Sequence, residues 1–512
     1  MKALIDRFNY LFRSTKGLIL VAIALIAIVT AAFGMLSGPL KEWGISDVAI
    51  KLYGMKLVEA EREGRIILLY HTIAMSVIAI ETYLITALVP MKPQQQANIN
   101  ATITVGYITS LIFGLAFGYF GHNFIFHGLF ITGQALVFFA GLLLAVALWP
   151  WRAEYHVTDP AYAHTRGGVD LERVAFFTMA VVTLISAVFG AVAGSLFGNG
   201  FETFLAEDIV RQPVKNALQL AVIGHLHIRL ELIAVALTLI VGRWFDFKGK
   251  LHHWAMPLMI VGTLIVAGGV WAVVPFEPVA HMIINVGAFP TLIASTLLVW
   301  FGWRKIAAAR LAERGITRAG FGRWLAALLH DPVRFGMLWQ MVYMNIVVTA
   351  VGIFFAIRLD EQIRTWSLRD EQVGLTGHWH ILAGIIATII LLLYADLAGI
   401  KGKARQWFGW VILIASDIAF GAVTLFETKR LYVTEANQQP LVDVSMIVSD
   451  AGLATVLIAL AALMVWRLID LFRRDGRWAK EAKETELEDG GAMSANGKWQ
   501  IANSRWQIAD GR

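Results

Sequence analysis

The sequence predicts an all-α integral membrane protein with about twelve transmembrane helices. Only 16% of its 512 residues are charged and 58% are hydrophobic, whereas about a quarter of the residues in soluble proteins are charged. The hydrophobic residues form unbroken stretches of about 20 residues, the length that crosses about 30 Å of hydrocarbon as a helix. These observations exclude a soluble enzyme, a nucleic-acid-binding protein and a disordered chain.

Twelve apolar stretches divide the chain into three parts. We expect an N-terminal segment at 1–16, a membrane domain at 17–470 and a polar, solvated tail at 471–512. The first stretch is too long for a signal peptide and lacks a small-residue cleavage site, so it predicts a retained helix. The predicted spans are 17–40, 66–90, 101–120, 124–149, 174–197, 216–242, 254–275, 279–303, 335–357, 376–397, 406–426 and 446–468.

Lys and Arg in the loops predict the orientation of the chain. The loops that follow even-numbered spans carry more of them than the opposite loops, mainly because of the basic loop at 304–334. Since basic residues collect in cytoplasmic loops, both termini are predicted to be cytoplasmic. The same rule accounts for the net charge of +6, so no nucleic-acid partner is required.

The chain contains no Cys. This absence excludes disulfides, iron–sulfur clusters, Cys-ligated zinc and the C-x-x-C-H attachment of a c-type haem. Any redox centre held by this chain must therefore use His or carboxylate ligands.

Several of the thirteen His residues share one depth in the predicted membrane. His71 lies near the outer end of span two, His225 and His227 lie in the outer part of span six, and His378 and His380 open span ten. Ionisable groups inside a membrane are costly and therefore indicate a functional site. The competing interpretation is that each His reaches the interface or bonds a neighbouring carbonyl. The roles of His122, His127 and His281, at other outer span ends, stay open.

Gly377-His378-Trp379-His380 is the sharpest local pattern. Positions i and i+2 of a helix point about 200° apart, so the two imidazoles should face opposite sides of one helix. That arrangement suits two cofactors lying on either side of it. Haem is the cofactor that best fits neutral imidazole in a dry, Cys-free site.

The order of these histidines resembles the catalytic subunit of the haem–copper oxidase superfamily, from about residue 15 to 470. Gly224-His225-Leu226-His227-Ile228 is similar to the His-Leu-Trp-Val segment of the nitric oxide reductase branch. The resemblance implies a haem–copper-oxidase-like bundle with two b-type haems, one low-spin and the other a candidate high-spin haem. It also implies a bacterial or archaeal inner membrane with the haem sites toward the periplasm.

The resemblance implies specific ligands. His378 would bind the high-spin haem, and His71 with His380 would bind the low-spin haem. Lys429 and Arg430, after span eleven, would meet the haem propionates. A periplasmic c-type cytochrome or another redox subunit would exchange electrons with the chain, as part of a multi-subunit complex.

This sequence has fewer of the ligands that bind the family's second metal, non-haem iron or copper. The family's His-His pair at the outer end of span seven is missing, and His252-His253 lies at the other end, so we interpret that pair as interfacial. His225, His227 and Glu231 remain as candidate metal ligands, since imidazole with carboxylate suits several metals. Arg229 would repel a divalent cation and is expected to pair with Glu231 or a propionate.

Other intramembrane carboxylates have structural interpretations. Asp417 falls in the middle of span eleven, where an interhelical hydrogen bond is favoured over a proton path, and Asp396 near a helix end is expected to be structural or interfacial.

Three functions remain open at this point. The first is a respiratory subunit that transfers electrons through two b-type haems. The second is a terminal reductase of nitric oxide or oxygen with an unusual metal at His225, His227 and Glu231. The third is a transporter of protons or cations, although neither an inverted repeat nor a pair of broken helices supports it.

Overall fold

The computed structural model describes residues 2–34, 44–57, 62–121, 123–162, 165, 167–196, 217–359, 361–434 and 437–482. Within these ranges the chain is helical, without β-strands. The helices are α1 (Lys2–Arg13), α2 (Thr15–Gly34), α3 (Ile45–Tyr53), α4 (Arg62–Leu88), α5 (Pro93–Phe120), α6 (Phe124–Ala147), α7 (Leu171–Leu196), α8 (Ala217–Trp244), α9 (Lys250–Glu313), α10 (Phe321–Leu328), α11 (Pro332–Val342), α12 (Thr349–Arg358), α13 (Leu368–Leu397), α14 (Gly402–Glu427) and α15 (Gln438–Phe472). A π-helical turn at Tyr343–Val348 joins α11 to α12.

The chain is a multi-pass membrane protein by the length and composition of its helices. Among the described residues, eleven helices are long and apolar enough to cross a membrane, rather than the predicted twelve. The difference lies in α9, whose 64 residues include both predicted spans 254–275 and 279–303. The backbone of Phe276, between Pro275 and Pro278, is not helical, with φ −147° and ψ 57°.

The two arms of α9 fold back on each other. A Cβ on Gly262 would lie 2.7 Å from Cγ2 of Thr291, and a Cβ on Gly269 would lie 2.8 Å from the backbone N of Ile284. These contacts pair residues before the break with residues after it in antiparallel order. Proline removes a helical hydrogen bond and clashes with the preceding turn, so Pro275 and Pro278 explain why the helix reverses here.

Glycines also permit a close helix contact between α5 and α6. Gly133 packs on the backbone of Ser110 and Gly106, and a Cβ on Gly106 would lie 2.8 Å from the backbone N of Val137. Small residues let membrane helices approach because packing, rather than hydrophobicity, holds them together in lipid.

One end of the bundle, which we call the terminal face, holds α1 and residues 473–482. The Tyr10 hydroxyl donates to Glu481 at 2.6 Å, and the buried Arg467 guanidinium donates to Glu481 at 2.8 Å and also to Tyr10. Arg467 therefore joins the N-terminal helix to the end of α15. We call the other end of the bundle the opposite face.

The first part of the predicted polar tail is packed rather than solvated. Trp478 is 5% exposed and Glu481 is 8% exposed, and Asp470 accepts hydrogen bonds from the backbone N–H groups of Arg477 and Trp478. The polar composition of this segment did not predict its burial, because its charged residues are paired with groups far away in sequence. Residues 483–512 lie outside the described residues.

The structure confirms the structural interpretation of two carboxylates. Asp417 accepts hydrogen bonds from Trp339 Nε1 and Gln340 Nε2, both at 2.7 Å, and so links α14 to α11. Asp396, near the end of α13, pairs with Arg405 at 2.8 Å and Arg334 at 3.2 Å.

Candidate functional site: a histidine-lined cavity in the bundle

A cavity of about 1080 Å³ lies inside the bundle, and predicted site residues line it from three helices. Its volume slightly exceeds the roughly 300–1,000 Å³ that is common for ligand and cofactor pockets. Most of the wall is aliphatic or aromatic. The predicted site residues that line it are His71 on α4, His225, His227 and Glu231 on α8, and His378 and His380 on α13.

These histidines occupy equivalent positions along their helices. His71, His225 and His378 lie within the first few residues of the apolar stretches Leu68–Leu88, Gly224–Trp244 and Gly377–Leu397. The three helices enter the bundle from the opposite face, and α8 contacts both α4 and α13. The common depth predicted from the sequence is therefore also a common location in space.

The two histidines of α13 face different neighbours. The ring of His378 lies 6.1 Å from that of Phe355 on α12, whereas His380 Nε2 lies 2.7 Å from the hydroxyl of Tyr70 on α4. This is the divergence that the i, i+2 spacing predicts. The cavity accordingly extends along both sides of α13, with walls contributed by α4 on one side and α12 on the other.

His378 lines the cavity one turn after Gly374, whose backbone carbonyl interacts with the imidazole. It is buried, and its Nδ1 has no hydrogen-bond partner among the described residues. A buried polar nitrogen in this state costs free energy unless a ligand or water satisfies the imidazole.

His71 and His225 face each other between α4 and α8. Their ring centroids are 6.4 Å apart and the ring planes differ by 15°. His225 Nδ1 lies 3.0 Å from the carbonyl oxygen of Ser186 on α7. A backbone carbonyl at Nδ1 fixes the tautomer that leaves Nε2 as the electron-pair donor, the usual arrangement behind a metal-ligating imidazole.

The three residues predicted to bind a non-haem metal do not form one compact set. His225 lies beside His71, while the ring of His227 lies 6.0 Å from that of Trp379. Across the described part of the chain, no group of three or more His, Cys, Asp and Glu side chains is arranged to hold a metal ion. The non-haem metal stays a prediction.

Arg229 and Glu231 are the ionisable neighbours of these histidines on α8. Both line the cavity. The expected ion pair between them is absent: within the described residues neither side chain forms an ion pair or hydrogen bond, and Arg229 Nε is fully buried without a partner. Two residues along a helix correspond to about 200°, so they project to different sides of α8.

Lys429 and Arg430 lie at the opposite face and are outside the cavity lining. Lys429 Nζ is 2.8 Å and Arg430 Nε is 2.7 Å from the carboxylate of Asp370, near the start of α13. Burial raises the pKa of Asp370, but hydrogen bonds from Lys429, Arg430 and Ser367 outweigh it and lower the pKa to about 2. Both cations thus brace α13 about two turns before His378.

Four other histidines were considered on sequence grounds. His252 lies at the terminal face, the end of the bundle where it was predicted, and is completely buried there, with the rings of Tyr162 and Phe247 packed edge-on against it. His253 is partly exposed and bonds the Gly249 carbonyl through Nδ1. His127 stacks on Phe117, and His122 lies outside the described residues.

Several members of the site were given no role from the sequence. Tyr70, Trp379 and His281 line the cavity, and Glu277 pairs with Arg364 at 3.0 Å where α9 reverses. The Tyr70–His380 contact joins residues 310 positions apart, so no local sequence pattern predicts it. His281 was noticed, but its place depended on the fold of α9.

These residues fit haem as a ligand class. The cavity offers imidazoles on both sides of α13 within a largely apolar wall, and imidazole is one of the axial ligands that haem iron takes in proteins. The positive charge of Arg229 favours a carboxylate ligand over a divalent metal ion. Lys429 and Arg430 engage Asp370 outside the cavity, and their contact with haem propionates stays a prediction.

No protein-family model, curated protein or solved structure matches this chain.

Proposed function

We propose that this chain is a membrane redox subunit that carries two b-type haems and exchanges electrons with a partner at its opposite face. The observation that carries the proposal is the convergence of His71, His225, His227, His378 and His380 on one apolar cavity. Ionisable groups at membrane depth are rare without a function. Five imidazoles from three helices at one level favour a cofactor over scattered structural contacts.

The residues have distinct tasks in this proposal. His378 binds one haem from one side of α13, and His71 with His380 binds the other, as the resemblance implies. When bound, haem supplies iron that cycles between its ferrous and ferric states. The apolar wall excludes water from that iron. Tyr70, whose hydroxyl lies 2.7 Å from His380 Nε2, would have to give up this contact when that nitrogen binds iron.

The orientation follows from the distribution of basic residues. Because Lys and Arg favour the side that holds the termini, the histidine cluster lies toward the periplasm of a bacterial or archaeal inner membrane. A periplasmic c-type cytochrome or another redox subunit would meet the chain there. The lipid bilayer itself is the environment of the apolar helices.

The decisive experiment is the optical spectrum of the purified, dithionite-reduced protein with and without carbon monoxide. We expect b-type haem bands from two haems per chain. A shift of one of them on carbon monoxide would identify an open iron site and favour the gas-reductase alternative. No shift would favour an electron conduit. A colourless protein without haem would refute the proposal and favour the transporter.

A further inference from the structure

The guanidinium of Arg229 is a buried cation whose counter-charge is not supplied by the described protein. It lies on α8 one helical turn after His225, and residues four apart share a helix face. Its side chain lines the cavity, and its Nε is buried without a hydrogen-bond partner among the residues described.

The buried positive charge of Arg229 is energetically costly without a negative partner. Arginine stays protonated at any accessible pH, and an unpaired charge in the apolar interior of a membrane protein is costly. The nearest carboxylate along α8 is Glu231, which projects to another side of the helix and forms no ion pair with it. Since no described carboxylate pairs with Arg229, we look for its counter-charge in what the cavity binds.

The wall of the cavity limits what that ligand can be. Aliphatic and aromatic residues form most of it, and its volume of about 1080 Å³ far exceeds that of a small inorganic anion. A large apolar body that carries an oxyanion matches both features. The planar guanidinium fork is the side chain best suited to bind a carboxylate through two parallel hydrogen bonds.

We infer that Arg229 anchors the carboxylate of an otherwise apolar ligand inside the bundle, on the His225 side of α8. The carboxylate has two alternative sources. One is a haem propionate, in which case the inference rests on the proposed function. The other is a free amphiphile such as a fatty acid, in which case it does not.

The test uses full-length protein purified from a haem-auxotrophic host and two matched pairs of probes. Haem is compared with haem dimethyl ester, whose carboxylates are blocked, by optical titration. Laurate is compared with dodecanol by thermal stabilisation. Each pair is measured on the native protein, on Arg229→Gln, on Arg229→Lys and on the control Arg358→Gln, whose exposed side chain pairs with Glu361 at the opposite face.

We expect at least one acid probe to bind the native protein roughly tenfold to hundredfold more tightly than its neutral counterpart, the range that a charge-assisted hydrogen bond contributes. Arg229→Gln should abolish this preference, Arg229→Lys should keep part of it, and Arg358→Gln should keep all of it. The pair of probes that shows the effect identifies the source of the carboxylate.

Other outcomes separate this inference from the proposed function. Equal binding of acid and neutral probes to the native protein, or a preference that survives in Arg229→Gln, overturns the anchor even if two haems bind. Failure to bind haem, with an Arg229-dependent preference for laurate, overturns the haem proposal and leaves the anchor standing. If Arg229→Gln does not fold, Arg229→Lys decides: an acid preference as large as that of the native protein overturns anchoring by the guanidinium fork, and a reduced or lost preference supports it.

Discussion

At the scale of single residues, the pairing of charged side chains differs between Asp370, outside the apolar stretches, and Arg229, inside one of them. Asp370, before the apolar part of α13, is held by Lys429 and Arg430 at 2.8 and 2.7 Å. Arg229, within the apolar part of α8, has no such partner among the described residues. A satisfied charge braces the fold, whereas an unsatisfied one indicates a ligand.

The Asp370 cluster predicts an acid-sensitive contribution to stability. Its folded pKa of about 2 lies below the usual 3.8, so its contribution is complete above about pH 4 and is lost as the pH falls toward 2. We expect Asp370→Asn to lower the free energy of unfolding at pH 7 by about 1–3 kcal/mol. We also expect this variant to lack that part of the acid loss.

Thermal unfolding in detergent between pH 2 and 7 measures both effects. Asp443→Asn, at an exposed carboxylate on α15, is the matched control and should follow the native profile. Superimposable pH profiles for the native protein and Asp370→Asn would contradict the role given to this cluster.

The histidines on the two sides of α13 predict separable spectra. If the proposed function holds, His71→Ala and His380→Ala should each remove the low-spin haem bands, because that iron loses an axial ligand. His378→Ala should leave those bands and remove the other haem. Reduced-minus-oxidised spectra and low-temperature EPR distinguish the two haems.

His253→Ala is the control for these variants, because His253 is partly exposed at the terminal face and bonds the Gly249 carbonyl, away from the cavity. Low-spin bands that persist in both His71→Ala and His380→Ala would refute this ligand assignment. His252→Ala is unsuitable as a control, since it would leave a cavity under Tyr162 and Phe247.

At the scale of the helical elements, proline and glycine decide where the chain bends and where helices touch. Pro275 and Pro278 reverse α9, and facing glycines bring its arms together. Gly106 and Gly133 do the same between α5 and α6. Since lipid competes with side chains for apolar contact, close backbone approach is what holds such pairs.

Gly133→Ala should therefore separate α5 from α6. The added Cβ would meet the backbone of Ser110 and Gly106, which cannot move aside as a flexible side chain could. We expect a loss of about 1–3 kcal/mol, the usual cost of overpacking. Gly128→Ala on the same helix is the control, because a Cβ there has no neighbour within 4 Å. Equal thermal midpoints for the two variants would argue against this contact.

At the scale of the whole molecule, the reversal inside α9 determines the topology. Counting its two arms separately places the N-terminal helix and residues 473–482 at the same end of the bundle, as the contacts of Arg467 with Tyr10 and Glu481 require. If α9 crossed only once, the two termini would lie at opposite ends.

The absence of Cys makes this topology directly testable. Single cysteines at the exposed positions Lys92 and Lys401 should react with a membrane-impermeant maleimide from one side of sealed vesicles, and Glu361→Cys should react from the other. Labelling of all three from one side would contradict the alternation. Labelling of Lys92→Cys and Lys401→Cys from the periplasmic side would reverse the predicted orientation while keeping the alternation.

The sequence by itself determined the class of the molecule. Apolar stretches long enough to span a bilayer are a local property of the chain, so the all-helical membrane architecture and most span positions follow from composition and length alone. The shared depth of His71, His225 and His378 was also readable, because depth is counted along each helix from its end. The divergence of His378 and His380 followed from helical periodicity.

Only the tertiary structure decided which side chains meet. It placed Tyr70 against His380 and His71 against His225, engaged Lys429 and Arg430 with Asp370, buried His252 and Trp478, and left Arg229 without a partner among the described residues. Each of these results depends on the rotation and packing of helices far apart in sequence. Spacing along one helix fixes the relative directions of its own side chains but not the neighbours toward which they turn.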